Sequence, residues 1–134
     1  SLLNYGHTFG HALETALGYG RLLHGYGVAL GSALCAKLAL RLSRRGDERF
    51  KEIDESWIIR QNDLIAKLGL PNSLSDIANL TEEEIDLSPR RLVDLMASDK
   101  KTEYGKLNFV LPVGLGKCSL IRNVSVDDVV ATLE

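Results

Sequence analysis

The chain has 134 residues and is 45% hydrophobic, enough at this length to bury a core within one domain. Its 16 Lys and Arg are scattered among 18 Asp and Glu for a net charge of −2, which excludes a basic face for nucleic acid. The most apolar stretch, Val28 to Leu42, carries Lys37 and Arg41 and is too short to cross a bilayer, and the first residues lack the basic start and apolar run of a signal peptide.

From about Thr8 to Leu17, Phe9, Ala12, Leu13, Ala16 and Leu17 recur at helical spacing, and Gly18 and Gly20 supply a stop. Gly25 to Leu42 predicts a second helix, apolar over most of its circumference, as a helix in the middle of a bundle must be. Gly27, Gly31 and the alanines between them give it thin faces for close packing. Arg41, Arg44 and Arg45 lie where the macrodipole favours cations, and Gly46 closes the helix. Asp47 is expected to cap a third helix with Phe50, Ile53, Trp57, Leu64, Ile65 and Leu68 on one face, ended by Gly69 and Pro71. Asn72 to Leu87 predicts short helices or turns, with Ser75 and Thr81 as caps. Ser88-Pro89 starts a fourth long helix ending near Asp99.

The texture then changes. Lys106–Leu111 and Lys117–Arg122 predict two strands joined through Pro112–Gly116, and Ser125 caps a last helix carrying Val126, Val129, Val130 and Leu133. Cys35 and Cys118 have no ligand spacing and are expected to be reduced, buried thiols of a cytoplasmic protein. The whole predicts one mainly α, multihelical domain over 1–134 with a small β-hairpin near its C-terminus.

All three histidines fall in Asn4-Tyr5-Gly6-His7-Thr8-Phe9-Gly10-His11-Ala12-Leu13-Glu14 and Leu22-Leu23-His24-Gly25. His7 and His11, four apart, share a helical face with Glu14, and His24 follows a glycine-rich turn that can return it to the same place. Imidazole is the commonest ligand for zinc-like ions, and such a pair can equally place one ligand beside one proton carrier. A lone helical histidine is more often a satisfied core residue. Glycine beside each histidine weighs the other way: in a helix it costs roughly 1 kcal/mol against alanine, so something bulky is expected to approach the backbone there. Residue types thus favour a metal or ligand site without specifying its reaction.

These blocks, together with ASDKKTEYGKLNFVLPVGLGK near the end, resemble the C-terminal domain of 3-dehydroquinate synthase and related sugar phosphate cyclases over essentially the whole chain, in order. The family pattern is close to R-x-x-L-N-x-G-H-T-x-G-H-A-x-E, then H-G-E-A-V-x-x-G-M, then D-K-K-x-x-x-G. The resemblance implies a helical half of a two-domain enzyme whose N-terminal Rossmann-like half binds NAD and supplies a third, glutamate ligand. Carried over, it makes His7 and His24 ligands of a divalent zinc or cobalt ion. His11 becomes part of the proton-transfer apparatus facing substrate and phosphate, and Asn4 a hydrogen-bonding partner of substrate. Lys100 or Lys101, with Lys101 favoured, becomes the substrate-contacting catalytic lysine. Glu14 fits a partner behind the ligands.

The implied reaction is the cyclisation of a seven-carbon sugar-acid phosphate to 3-dehydroquinate with phosphate release, with NAD returned unchanged. Family members are commonly homodimers. Tyr26, Gly27 and Ser32 stand where the family has glutamate, alanine and methionine, which puts the exact substrate in question. The chain opens without methionine, inside the first motif, and carries no G-x-G-x-x-G after a strand, so it is expected to be part of a longer protein and inactive alone. Alternatives are a valiolone- or inosose-type cyclase, an iron-type alcohol or glycerol dehydrogenase, and a non-catalytic interaction domain retaining the fold.

Overall fold

A computed structural model of the chain describes residues 4–18, 22–79, 85–99 and 106–134. Among them are α1 (His7–Leu17), α2 (His24–Arg44), a 3-10 turn (Glu48–Phe50), α3 (Glu55–Lys67), α4 (Leu74–Ala78) and α5 (Pro89–Asp99). An antiparallel hairpin of β1 (Lys106–Gly114) and β2 (Lys117–Ser125) follows, then α6 (Val126–Leu133). This is the expected mainly helical architecture with one hairpin near its end.

The apolar circumference of α2 makes it the hub. Leu30, Ala33, Leu34, Cys35, Ala36, Leu38, Ala39 and Leu42 are buried, and the helix packs on α1, α3, β1 and α6. Phe9 of α1 stacks on Phe109 of β1 with ring centroids 5.0 Å apart. Both rings are buried in the cluster that joins α1, α2, α5 and the hairpin, and such a pair adds about 0.5–1.5 kcal/mol beyond its area burial.

Three local expectations are corrected. Asp47 caps only the 3-10 turn, accepting from the Arg49 amide at 3.0 Å, and Asp54 restarts the chain as α3 by accepting from Ser56 N at 2.9 Å. The break lets Phe50 turn wholly inside, whereas Leu64 and Leu68, expected on the buried face, are 58% and 65% exposed. Ser73 rather than Ser75 caps α4; Thr81 lies outside the described residues. The strands run past Pro112 to Gly114, leaving Leu115-Gly116 as the turn, with Gly116 at φ 71°. Proline is tolerated because a two-stranded hairpin has only edge strands, and the register shifts between Pro112 and Gly114. Neither cysteine is in a disulfide, and Cys118, expected buried, is only half-buried.

Asp128 ties the end of α2 to the start of α6. Its side chain is 8% exposed, and the carboxylate accepts from Arg41 Nε at 2.9 Å, from Arg45 Nη1 and from Ser125 Oγ at 3.0 Å, while Ser125 Oγ caps the Asp128 amide. Burial alone would raise its pKa; the bonds from Arg41, Ser125 and Arg45 outweigh that and hold it below the usual carboxylate range. A depressed folded pKa stabilises the protein above the unfolded value of about 3.9 and ceases to do so as pH falls through it. Asp128→Asn is therefore expected to cost about 2 kcal/mol at pH 7, between the roughly 3–5 of a broken buried ion pair and the roughly 1 or less of an exposed one, because both arginines reach solvent. Denaturant titrations of the two proteins should converge as the pH falls below about 4.

Candidate functional site

The site is built on a crossing of two glycine-bearing helices. An ideal Cβ on Gly31 of α2 would lie 2.0 Å from the Gly6 carbonyl oxygen, and one on Gly10 of α1 would lie 2.9 Å from the Gly27 oxygen. No side chain fits at either point, so the two backbones touch. Gly6, at φ 78°, turns the chain into α1, and its oxygen accepts the Gly10 amide at 2.9 Å. The bulky group expected near the histidine-flanking glycines is thus the facing helix for Gly6 and Gly10. Gly25, beside His24, has nothing within 4 Å of its would-be Cβ.

This contact sets the starts of both helices side by side. His7 and His24, the first residues of α1 and α2, meet edge to face with ring centroids 5.3 Å apart and planes at 87°. His24 Nδ1 lies 2.8 Å from Glu14 Oε1; the carboxylate is 15% exposed and the imidazole 60%. The spacing that put Glu14 on the histidine face did not reveal that it bonds His24, because that contact depends on where α2 crosses.

The donor set can be tested for a shared divalent ion. With Zn–N bonds of about 2.0–2.1 Å, two imidazoles on one tetrahedral ion hold their centroids about 5 Å apart, and His7 and His24 already stand at 5.3 Å. One ring has its Nδ1 engaged by a carboxylate, as metal-binding histidines commonly do. Two neutral nitrogen donors fit a zinc-like ion, and no group of three potential ligands occurs among the described residues. A centre built on this pair would need further ligands beyond the described residues.

His11, one turn beyond His7, is exposed, and its carbonyl accepts from Thr15 Oγ1 at 2.9 Å. Asn4 is exposed in the turn before α1. Lys100 and Lys101 lie outside the described residues. Tyr26, where a carboxylate was expected by resemblance, is half-buried and packs against the core cluster. Tyr5 turns the other way, donating to the Ser32 carbonyl at 3.3 Å, an oxygen that Gln61 Nε2 also reaches at 3.3 Å. Burial, with Cys35 and Cys118 nearby, pushes the Tyr5 phenol far up, so it remains a neutral donor. Tyr5, Trp57, Leu64, Leu115 and Cys118 line a groove of about 520 Å³ between α3 and the hairpin turn that none of the histidines lines. Convergence of side chains, not concavity, marks the site. No described helix is long and apolar enough to cross a membrane.

Comparison with known proteins bears on these residues. A family profile described as 3-dehydroquinate synthase C-terminal matches residues 1–102. The 3-dehydroquinate synthase of Desulforamulus reducens is 40% identical over 133 residues, covering 99% of this chain and 32% of its own length. That of Rhodopseudomonas palustris is 42% identical over 125 residues, covering 92% of this chain and 30% of its own. The chain thus spans about a third of the length of the curated relatives it matches. Among solved structures, a 2-deoxy-scyllo-inosose synthase complexed with carbaglucose-6-phosphate, NAD+ and Co2+ superposes with a TM-score of 0.70 at 22% identity. It covers 98% of this chain and 32% of that one, a likeness of fold. A 2-epi-5-epi-valiolone synthase from Streptomyces hygroscopicus subsp. jinggangensis with NAD+ and Zn2+ bound also gives 0.70, at 25% identity, with coverage of 98% and 31%.

Proposed function

Because the chain belongs to the 3-dehydroquinate synthase C-terminal family, we propose that it is the metal- and substrate-binding domain of a 3-dehydroquinate synthase, a cytoplasmic lyase of the shikimate route to aromatic amino acids. The reaction is the NAD-dependent cyclisation of a seven-carbon sugar-acid phosphate, with loss of phosphate. The observation that carries the reading is the meeting of His7 and His24 at 5.3 Å, with Glu14 on the Nδ1 of the second.

His7 and His24 would hold the zinc or cobalt ion, which when bound polarises a substrate oxygen as a Lewis acid. The chain's other residues bind and move protons. Exposed His11, one turn along α1, takes and returns a proton at the substrate, within reach of its phosphate. Asn4, at the mouth of the same turn, orients a substrate hydroxyl, and Lys101 with Lys100 neutralises phosphate oxygens. NAD and the remaining ligand belong to an N-terminal half outside 1–134, so the domain alone is inactive, and the full protein works as a homodimer.

A second reading changes only the substrate. Tyr26 packs on the core where the cyclase pattern has a carboxylate, and the solved neighbours act as inosose and valiolone synthases. The test is phosphate release by the longer protein containing this chain, offered the seven-carbon acid phosphate, sedoheptulose 7-phosphate and glucose 6-phosphate. Turnover of the first alone is expected, with His11→Ala slowing it by about 100-fold or more, the share general acid–base catalysis contributes, while metal content is retained. Turnover of a neutral sugar phosphate instead of the acid would transfer the protein to the second reading.

A further inference from the structure

Glu14 lies two helical turns beyond His7 on α1, yet its carboxylate meets the imidazole of α2. The path it takes is across bare backbone: a Cβ on Gly27 would stand 3.2 Å from Glu14 Oε1 and 3.5 Å from its Cγ. The glutamate side chain therefore lies closely against Gly27, and an added Cβ there would press on it. At the end of that path Oε1 sits 2.8 Å from His24 Nδ1, with the carboxylate largely shielded from water.

We propose that Glu14 is a positioning residue that sets the tautomer and ring orientation of His24, an inference that rests on reading His7 and His24 as a ligand pair. An ionised carboxylate can only accept, so the neutral ring must carry its proton on Nδ1. Its lone pair is thereby placed on Nε2, the nitrogen left free for an ion. Among the described residues His24 Nδ1 has no second hydrogen-bond partner, so without Glu14 an imidazole that is 60% exposed would be held only by its edge contact with His7. Neutral histidine in water prefers the opposite tautomer, with Nε2 protonated and unable to bind metal. Glu14 therefore selects the competent form before any ion arrives, and Gly27 leaves the room in which it does so.

The experiment uses this chain, metal-free and with its histidine rings neutral. Long-range proton–nitrogen correlation NMR should show His24 protonated on Nδ1 in the wild type and in Glu14→Gln, whose amide oxygen still accepts, and mainly on Nε2 in Glu14→Ala. Competition of Zn2+ against a chelating indicator should show Glu14→Ala weakened by about 10–100-fold and Glu14→Gln by less. Thermal midpoints without metal should agree among the three, and the glutamine variant keeps the comparison open if the alanine variant folds poorly. An unchanged tautomer in Glu14→Ala, or Zn2+ affinity within about twofold of wild type, overturns the inference. Failure of the wild type to take up Zn2+ even in the longer protein that supplies the further ligands counts instead against the ligand-pair reading, and the tautomer comparison on this chain still decides the role of Glu14.

Discussion

Gly31→Ala is expected to cost at least about 3 kcal/mol, more than the usual range for an overpacked core position, and to part His7 from His24. Alanine is ordinarily the better helix former by roughly 1 kcal/mol, so local propensity predicts the opposite sign. The clash decides. The added carbon would lie 2.0 Å from the Gly6 oxygen and 3.2 Å from the Gly10 nitrogen, both backbone atoms. Gly6 cannot yield cheaply, because it sits at φ 78° and its oxygen holds the first bond of α1. Relief requires the helices to separate, which pulls His7 from His24. Gly25→Ala is the control: nothing lies within 4 Å of its Cβ, so stability should be unchanged or rise by up to about 1 kcal/mol. Denaturant titration of the three proteins checks this, and wild-type stability in Gly31→Ala would mean the crossing is far looser than drawn.

The same crossing shows what could be read from residues and what could not. Helix starts that depend on neighbouring residues were legible: Ser88-Pro89 begins α5, and Ser125 accepts from the amide of Asp128. Asp47 is equally a cap, but nothing local says that Phe50 must turn into the core three residues later and break the helix. Leu64 and Leu68 match the helical period yet face outward, since periodicity gives a face and not its partner. Spacing paired His7 with His11, and only the family resemblance joined His7 to His24, the two rings that meet. The meaning of the glycines beside the histidines was not legible. Successive helical residues point about 100° apart, so Gly10 lies against the backbone of α2 while His11 beside it is exposed; adjacency in sequence put on one face what the helix puts on two. Glu14 shared the expected face, and its bond to His24 followed only from the crossing.

His7→Ala and His24→Ala should each weaken Zn2+ uptake by well over the about 100-fold that losing a supporting residue costs, and His11→Ala should leave it intact. The stronger form of this prediction concerns the double variant. If both imidazoles serve one ion, removing the first ligand destroys most of what the second contributes, so the double variant should bind scarcely worse than either single one. Independent sites would instead lose affinity additively. Folding does not confuse the result for His24, whose ring is 60% exposed; for half-buried His7 the metal-free melting midpoint supplies the check. A thermodynamic cycle measured on the chain, and again on the longer protein where further ligands complete the centre, should give the same coupling sign in both. Additive losses, or uptake that survives His24→Ala, would leave the 5.3 Å pair as an aromatic contact between helix ends and overturn the proposal that it holds a metal.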